Sequence, residues 1–236
     1  MAFQWDWQVY LNDTGSGQTY LQWMMSAWGW TIAVATLAWF IAFIVGSLIG
    51  VLRTVPHKGL QFIGNAWVEL FRNIPLLVQL FLWYHVIPAL ITPMKSLPSF
   101  VLVVFALGFF TSSRVAEQVR AGIQSLPRGQ MMAGSAMGLT LAQTYRYVIL
   151  PMAYRIILPP LTSEAMNIIK NSSVAFAVSI SELILFAMQA QEETSRGIEI
   201  YLGVTGLYVI SAFAVNRLMA FIESRVRVPG YVGGGR

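Results

Sequence analysis

From Thr14 to Leu52 the chain carries no charged side chain. About 20 apolar residues in a helix cross roughly 30 Å of hydrocarbon, and the last two dozen residues of this run, 28–52, predict a first span. Asn73 to Met94 is uncharged over 22 residues and predicts a second, 73–94. A tight turn at Pro93 and Pro98 leads into a third, 96–113. A fourth, 156–180, is interrupted by Glu164 and Lys170, and a fifth occupies 200–222. The fold expected is therefore an all-α integral membrane domain over 28–222. It has an extracytoplasmic segment (1–27) before it and a cytoplasmic tail (223–236) after it. Composition agrees: 56% of residues are hydrophobic and only 11% charged, against about 25% in soluble domains, and the mean hydropathy is +0.63.

Orientation follows from the basic residues. With the amino terminus outside, the outer segments hold only Lys95 and Arg196, while Arg72 and Lys170 lie at or within the membrane. Eleven others fall inside: Arg53, Lys58, Arg114, Arg120, Arg128, Arg146, Arg155, Arg217, Arg225, Arg227 and Arg236. The reverse arrangement would place those eleven outside, against the positive-inside tendency. The loop 114–155 and the carboxyl terminus are thus expected in the cytoplasm, and the final Gly-Gly-Gly-Arg is expected to be disordered.

Several function classes drop out. The absence of cysteine removes disulfide and thiolate chemistry. His57 and His85 have no metal-ligand spacing, and the chain lacks the G-x-x-x-x-G-K-[ST] phosphate loop, so no cofactor is expected on it. The net charge of +5 is dispersed according to topology, which argues against nucleic acid as a partner. Aromatic residues gather partly near span ends, as at a lipid interface. Asp6 and Asp13 stand where a signal peptide would carry basic residues.

Local rules make the loop a helical hairpin. Pro127 suits a helix start, Gly138 the left-handed residue that ends it, and Thr140 with Gln143 a capping box for a second helix. Pro151 is expected to stop or kink that second helix. Met131, Met132, Ala133, Ala136 and Met137 make the first helix apolar enough to seek a protein groove.

Two further stretches carry ionisable groups where they are expensive. In Glu69-Leu-Phe-Arg72-Asn-Ile-Pro75, Glu69 and Arg72 are spaced to pair at i, i+3, and Pro75 would free a carbonyl at the membrane edge. A gate lining or a plain anchoring ion pair both fit. Arg114, Glu117 and Arg120 recur every third residue, the pattern of a solvated helix-end network. In the fourth span, charged groups cost about 2.5–3.5 kcal/mol to insert and are functional candidates. Glu164 and Lys170 are six residues apart and point about 120° from each other, so each should face another helix or a wet cavity. Asn167, Lys170 and Asn171 share a face, a set suited to a solute carboxylate.

Ala133, Gly138 and Leu150-Pro151 resemble the cytoplasmic loop of bacterial ABC importer permeases, which reads Glu-Ala-Ala, then Gly, then Ile-x-Leu-Pro. Here Met132, Gly134 and Val148 replace the Glu, the second Ala and the Ile. Glu69-Leu-Phe-Arg-x-x-Pro-Leu-Leu is similar to the polar amino-acid branch of that family. Phe71-Arg-Asn-Ile-Pro, Glu117-Gln-Val-Arg, Gln124-Ser-Leu-Pro-Arg-Gly-Gln and Arg225-Val-Arg-Val-Pro-Gly resemble its glutamate/aspartate permeases. The resemblance covers roughly residues 20–230. It implies a type I importer permease fold of five transmembrane helices, with the 114–155 loop forming a coupling helix. It also implies a non-enzymatic chain served by an ATP-binding cassette ATPase dimer, which would bind the ATP and Mg. A second permease subunit, homologous or identical, and an extracytoplasmic solute-binding protein complete the implied set, with an acidic amino acid as substrate. Another polar amino acid is the alternative, and an ion-coupled secondary transporter a more distant one, since internal repeats are missing.

The orientation is directly testable. Single cysteines at Thr14 and Gly233 of this cysteine-free chain should differ toward an impermeant thiol reagent applied to cells with an accessible outer face. Position 14 should label and position 233 should not; the opposite pattern would invert the topology.

Overall fold

Residues 4–226 are described in the computed structural model, so the expected disorder of the Gly-Gly-Gly-Arg tail lies outside the described residues. The elements are helical: α1 (Tyr20–Leu52), α2 (Lys58–Asn73), α3 (Leu76–Leu90), α4 (Ser99–Gln124), α5 (Arg128–Ala136), α6 (Leu141–Val178), α7 (Leu183–Thr194) and α8 (Gly197–Val226). A 3-10 turn, Trp7–Leu11, precedes them. By length and apolarity, α1, α4 and α8 can each cross a membrane alone. Two bent pairs, α2 with α3 at 104° and α6 with α7 at 55°, bring the number of candidate spans to as many as five.

Helix ends do not coincide with the limits of the uncharged runs. The second run starts at Asn73, the last residue of α2, and α3 begins only at Leu76. Ile74 is extended (φ −97°, ψ 128°), as a residue before proline must be, and Pro75 caps α3 from outside it. Pro75 is therefore a break between two helices, not a kink within one. The third helix runs on to Gln124, so Arg114, Glu117 and Arg120 sit on the end of a long helix and not in a loop. Pro151 stops nothing. Tyr145–Ile149 forms a π turn just before it, and the helix continues through Pro159 and Pro160 to Asn171, followed by a 3-10 stretch to Val178. A π turn widens the ladder locally, which gives a helix room for a residue lacking an N–H.

The chain divides into two compact units. The first takes residues up to Ala38, Pro75–Leu107 and Asn167–Ala214. Its core joins Met24 and Ala27 of α1 to Phe186 and Ala190 of α7 and to Ile200 and Val204 of α8. The turn before α7 is secured by Glu182, fully buried, which accepts from the N–H groups of Ile184 and Leu185 and from the Tyr208 hydroxyl. The amino-terminal turn is bound to α8 by Tyr10, whose hydroxyl donates to the Glu199 carbonyl at 2.7 Å, and by an ion pair between Asp6 and Arg196 at 3.5 Å.

The second unit takes Trp39–Ile74, Gly108–Met166 and the residues from Val215 onward. Here Gly46 and Gly50, four residues apart on α1, let α4 approach to backbone distance. A Cβ on Gly46 would lie 2.6 Å from Val115 Cβ and 2.7 Å from the Ser112 carbonyl oxygen; one on Gly50 would lie 2.7 Å from Val119 Cβ. This is the small-xxx-small packing that membrane helices use in place of a hydrophobic driving force. Trp67 of α2 adds a hydrogen bond to Ser112 at 3.0 Å.

Because the obstructing atoms at Gly46 include backbone, Gly46→Ala should destabilise the chain by about 1–3 kcal/mol. Gly29→Ala, where nothing lies within 4 Å, should not. Thermal unfolding of the detergent-solubilised protein would separate the two; equal midpoints would refute close packing at Gly46.

Candidate functional site

Within the second unit, one carboxylate gathers three guanidiniums. Glu117 lies on the inner face of α4, with its Oε1 3.0 Å from Arg53 Nη2 and 3.9 Å from Arg72 Nη1. Its Oε2 lies 3.9 Å from Arg120 Nη1. The Arg53 side chain is only 6% exposed and that of Glu117 35%, so the short pair is shielded from water. The expected pairing of Glu69 with Arg72 does not form. Glu69 is exposed and, among the described residues, in no ion pair, while Arg72 turns to Glu117. The triplet Arg114, Glu117 and Arg120 is accordingly more than a solvated helix end.

One turn before Glu117, Arg114 reaches across to α6. Its Nη1 lies 3.7 Å from Glu164 Oε2 and its guanidinium covers the Phe110 ring at 5.0 Å. At 3.7 Å the charges attract but no hydrogen bond closes, and Glu164 Oε2, although buried, takes none from elsewhere in the described chain. Glu164 thus meets another helix, one of the two settings expected for it, the other being a wet cavity.

Arg72, Arg114, Glu117 and Glu164, with Ser113 and Gln118, line a cavity of about 650 Å³. The residues expected from sequence divide around it. Arg72 and Glu164 are in the lining, whereas Asn167, Lys170 and Asn171 are not, and Lys170 is exposed on α6 without an ion pair among the described residues. Arg114 and Glu117 enter the cavity unforeseen as site residues. Their spacing was legible, but the partner of Arg114 lies fifty positions away and could not be read from one chain.

The 127–150 hairpin forms as local rules predict. Pro127 caps α5, and α5 ends in a Schellman motif: Gly138 has φ +76°, its N–H donates to Ser135 and the Leu139 N–H to Gly134. Both halves of the Thr140–Gln143 capping box are present. Gly134 permits α5 to lie against Thr144, whose side chain would meet a Cβ there at 2.7 Å. The opposite side of α5 is uncovered. Met132 is 67% and Met137 76% exposed, with Ala133 and Ala136 also exposed and Met131 partly so. The hairpin thus carries an uncovered apolar surface, with the end of α5 fixed by the Gly138 turn and the start of the next helix by the capping box.

Compared with known proteins, residues 42–228 match the family described as binding-protein-dependent transport system inner membrane component. The chain is 45% identical to the glutamate/aspartate import permease protein GltJ of Escherichia coli, over 99% of this chain and 100% of that protein. It is 33% identical to a probable glutamine ABC transporter permease protein, GlnM of Bacillus subtilis, over 83% and 89% of the two chains. Among solved structures, an amino acid ABC transporter crystallised with histidines superposes with a TM-score of 0.75 at 31% identity, covering 87% of this chain and 95% of that one. An inward-facing MetNI methionine ABC transporter shares the fold, with a TM-score of 0.77 at 21% identity, covering 88% and 98%.

The ion-pair geometry predicts unequal substitutions. Glu117→Gln leaves the buried Arg53 without its charged partner and should cost about 2 kcal/mol. Arg72→Gln breaks only a long, exposed contact and should cost less than about 1 kcal/mol. Equal losses of thermal stability in detergent would contradict the assignment of Glu117 as the centre of the cluster.

Proposed function

This chain belongs to the family of binding-protein-dependent transport system inner membrane components, and from that premise we propose that it is the permease subunit of an ATP-driven importer carrying glutamate and aspartate inward. The observation that carries the reading is the cavity. An acidic amino acid presents two carboxylates and one ammonium, and the cavity offers two guanidiniums, Arg72 and Arg114, together with the Glu164 oxygen that takes no hydrogen bond. Carboxylates stripped of water need charge and donors together, and the long contacts of both arginines, 3.7 and 3.9 Å, leave their donors available to a solute. The 45% identity to a glutamate/aspartate permease supports the same substrate class. The glutamine relative keeps a neutral amide as the second reading.

Asn167, Lys170 and Asn171 continue along α6 from Glu164 and would supply a further contact on the solute's path. Glu69, Arg72 and Pro75 would form the gate, with Arg72 able to leave Glu117 for the solute. The exposed face of α5, residues Met131 to Met137, would dock into a partner ATPase of a dimer that binds ATP and Mg. A second permease subunit and an extracytoplasmic binding protein would complete an assembly of the bacterial inner membrane, with the amino terminus outside and the carboxyl terminus in the cytoplasm.

Uptake by the reconstituted transporter tests both halves. Arg114→Gln should reduce glutamate uptake at least tenfold and glutamine uptake much less, and Lys170→Gln should reduce acidic uptake if Lys170 also meets the solute. Gly138→Val, strained at φ +76°, should leave the assembly intact but lose coupling of ATP hydrolysis to uptake. Undiminished glutamate transport by Arg114→Gln would remove the solute from this cavity. Coupled transport by Gly138→Val would remove α5 from the docking role.

A further inference from the structure

We propose that the amino-terminal segment, residues 4–12, lies in the membrane–water interface beside the starts of α1 and α8, with Trp5, Trp7 and Leu11 seated among phospholipid headgroups irrespective of their charge. The segment belongs to the first compact unit, and one side of it is built into the protein. Val9 is 1% exposed, in a core with Tyr20 and Met24 of α1 and Ile200 and Val204 of α8. The Tyr10 hydroxyl donates to the Glu199 carbonyl at 2.7 Å, over Gly203, where a Cβ would collide with it. The Asp6 N–H donates to Glu199 Oε1 at 2.9 Å, and the Asp6 carboxylate starts the 3-10 turn by accepting from the Gln8 N–H. Arg196 both faces Asp6 and donates to the Gln4 carbonyl at 3.2 Å. The segment is thus held in one place and in one orientation.

Its other side is apolar and exposed. The Trp5 and Trp7 rings stack with centroids 5.7 Å apart and planes 5° from parallel, yet the two residues are 58% and 51% exposed, and Leu11 is 68% exposed. An indole joins a large apolar body to a single N–H donor, the combination that settles at the edge of a bilayer. Position singles out lipid as the cover. Tyr10 and Asp6 fix the segment to the first turns of α8, a helix long and apolar enough to span, whose Ile198, Tyr201 and Leu202 are exposed at that level. The Asn12 carbonyl accepts from the Tyr20 N–H at the start of α1, where Leu21 and Met25 are exposed. The patch therefore continues the exposed apolar sides of two spanning helices at the ends where they begin. Charge favours the same occupant. Asp6 is the sole charged residue in 4–12 and is paired with Arg196, so the segment offers a protein no charge pattern to read and an anionic headgroup no particular attraction.

Photocrosslinking identifies the cover directly. A photoreactive amino acid in place of Leu11, in the full chain assembled with its partners and reconstituted into vesicles, should give phospholipid adducts recognised by mass. The same residue in place of Ser16, exposed at the tip of the hairpin that follows, should give none. Yields at position 11 should be equal in phosphatidylcholine and phosphatidylglycerol vesicles. Replacing both exposed indoles, Trp5→Ser with Trp7→Ser, should lower the yield at position 11 several-fold while Tyr10 keeps the segment on α8. Adducts to a protein at position 11 would overturn the proposal and assign the patch to that partner. Equal lipid yields at positions 11 and 16, adducts confined to one headgroup, or a yield unchanged by the double substitution would also overturn it.

Discussion

The carboxylate of Glu117 is the interaction on which the charged half of this membrane domain depends. Arg53 follows the last residue of α1, Arg72 lies in the last turn of α2, and Arg120 lies near the end of α4. Without a shared counter-charge these three guanidiniums would repel one another at the foot of the bundle. Glu117 can serve all three because Gly46 and Gly50 bring α1 to backbone contact with α4, so that Arg53 reaches it at 3.0 Å. Packing sets the electrostatics: a larger residue at either glycine would lengthen the one short ion pair. The arrangement also leaves Arg72 weakly held, at 3.9 Å and mostly exposed, which is the condition a moving or solute-binding group requires.

Much of this fold was legible because a bilayer imposes long periods on a sequence. The uncharged runs marked α1, α3, α4 and α8, and the hairpin was readable to the residue because Pro127, Gly138, Thr140 and Gln143 act through contacts only two to five positions away. Boundaries were less legible for the same reason. A window that seeks uncharged residues passes over α2, which carries Lys58, Glu69 and Arg72, and ends the third span at Ser113 although the helix runs to Gln124. Hydropathy reports where lipid stops, not where the helix does.

The site was half legible. Glu164 and Arg72 stood out because ionisable groups near the membrane are rare, but their partners did not. Local spacing suggested Glu69 for Arg72, since i, i+3 is the only neighbour one sequence can offer. In the folded unit α4 supplies Glu117 to Arg72 instead. Lys170 drew notice by the same rarity argument, yet an exposed lysine with a long stem can lead its ammonium away from apolar surroundings. Rarity finds the expensive residues; tertiary packing decides what each one is for.

Within the second unit, the hairpin and the cavity are joined by a single helix. Thr144, against which α5 rests, and Glu164, which lines the cavity, both lie on α6, twenty residues or roughly 30 Å apart at 1.5 Å per residue. Between them that helix has two soft places. The π turn at Tyr145–Ile149 departs from the regular ladder, and Pro159 with Pro160 removes two hydrogen bonds one turn before Glu164. Tyr145 is also tied to the end of α1 through Thr54. Under the proposed docking role, a push on α5 would be anchored at its base by that tie. It would bend the helix at the prolines, where Glu164 meets Arg114 across 3.7 Å with no hydrogen bond to break. A contact that weak can open and close for little energy, so a bend at the prolines meets little resistance from it.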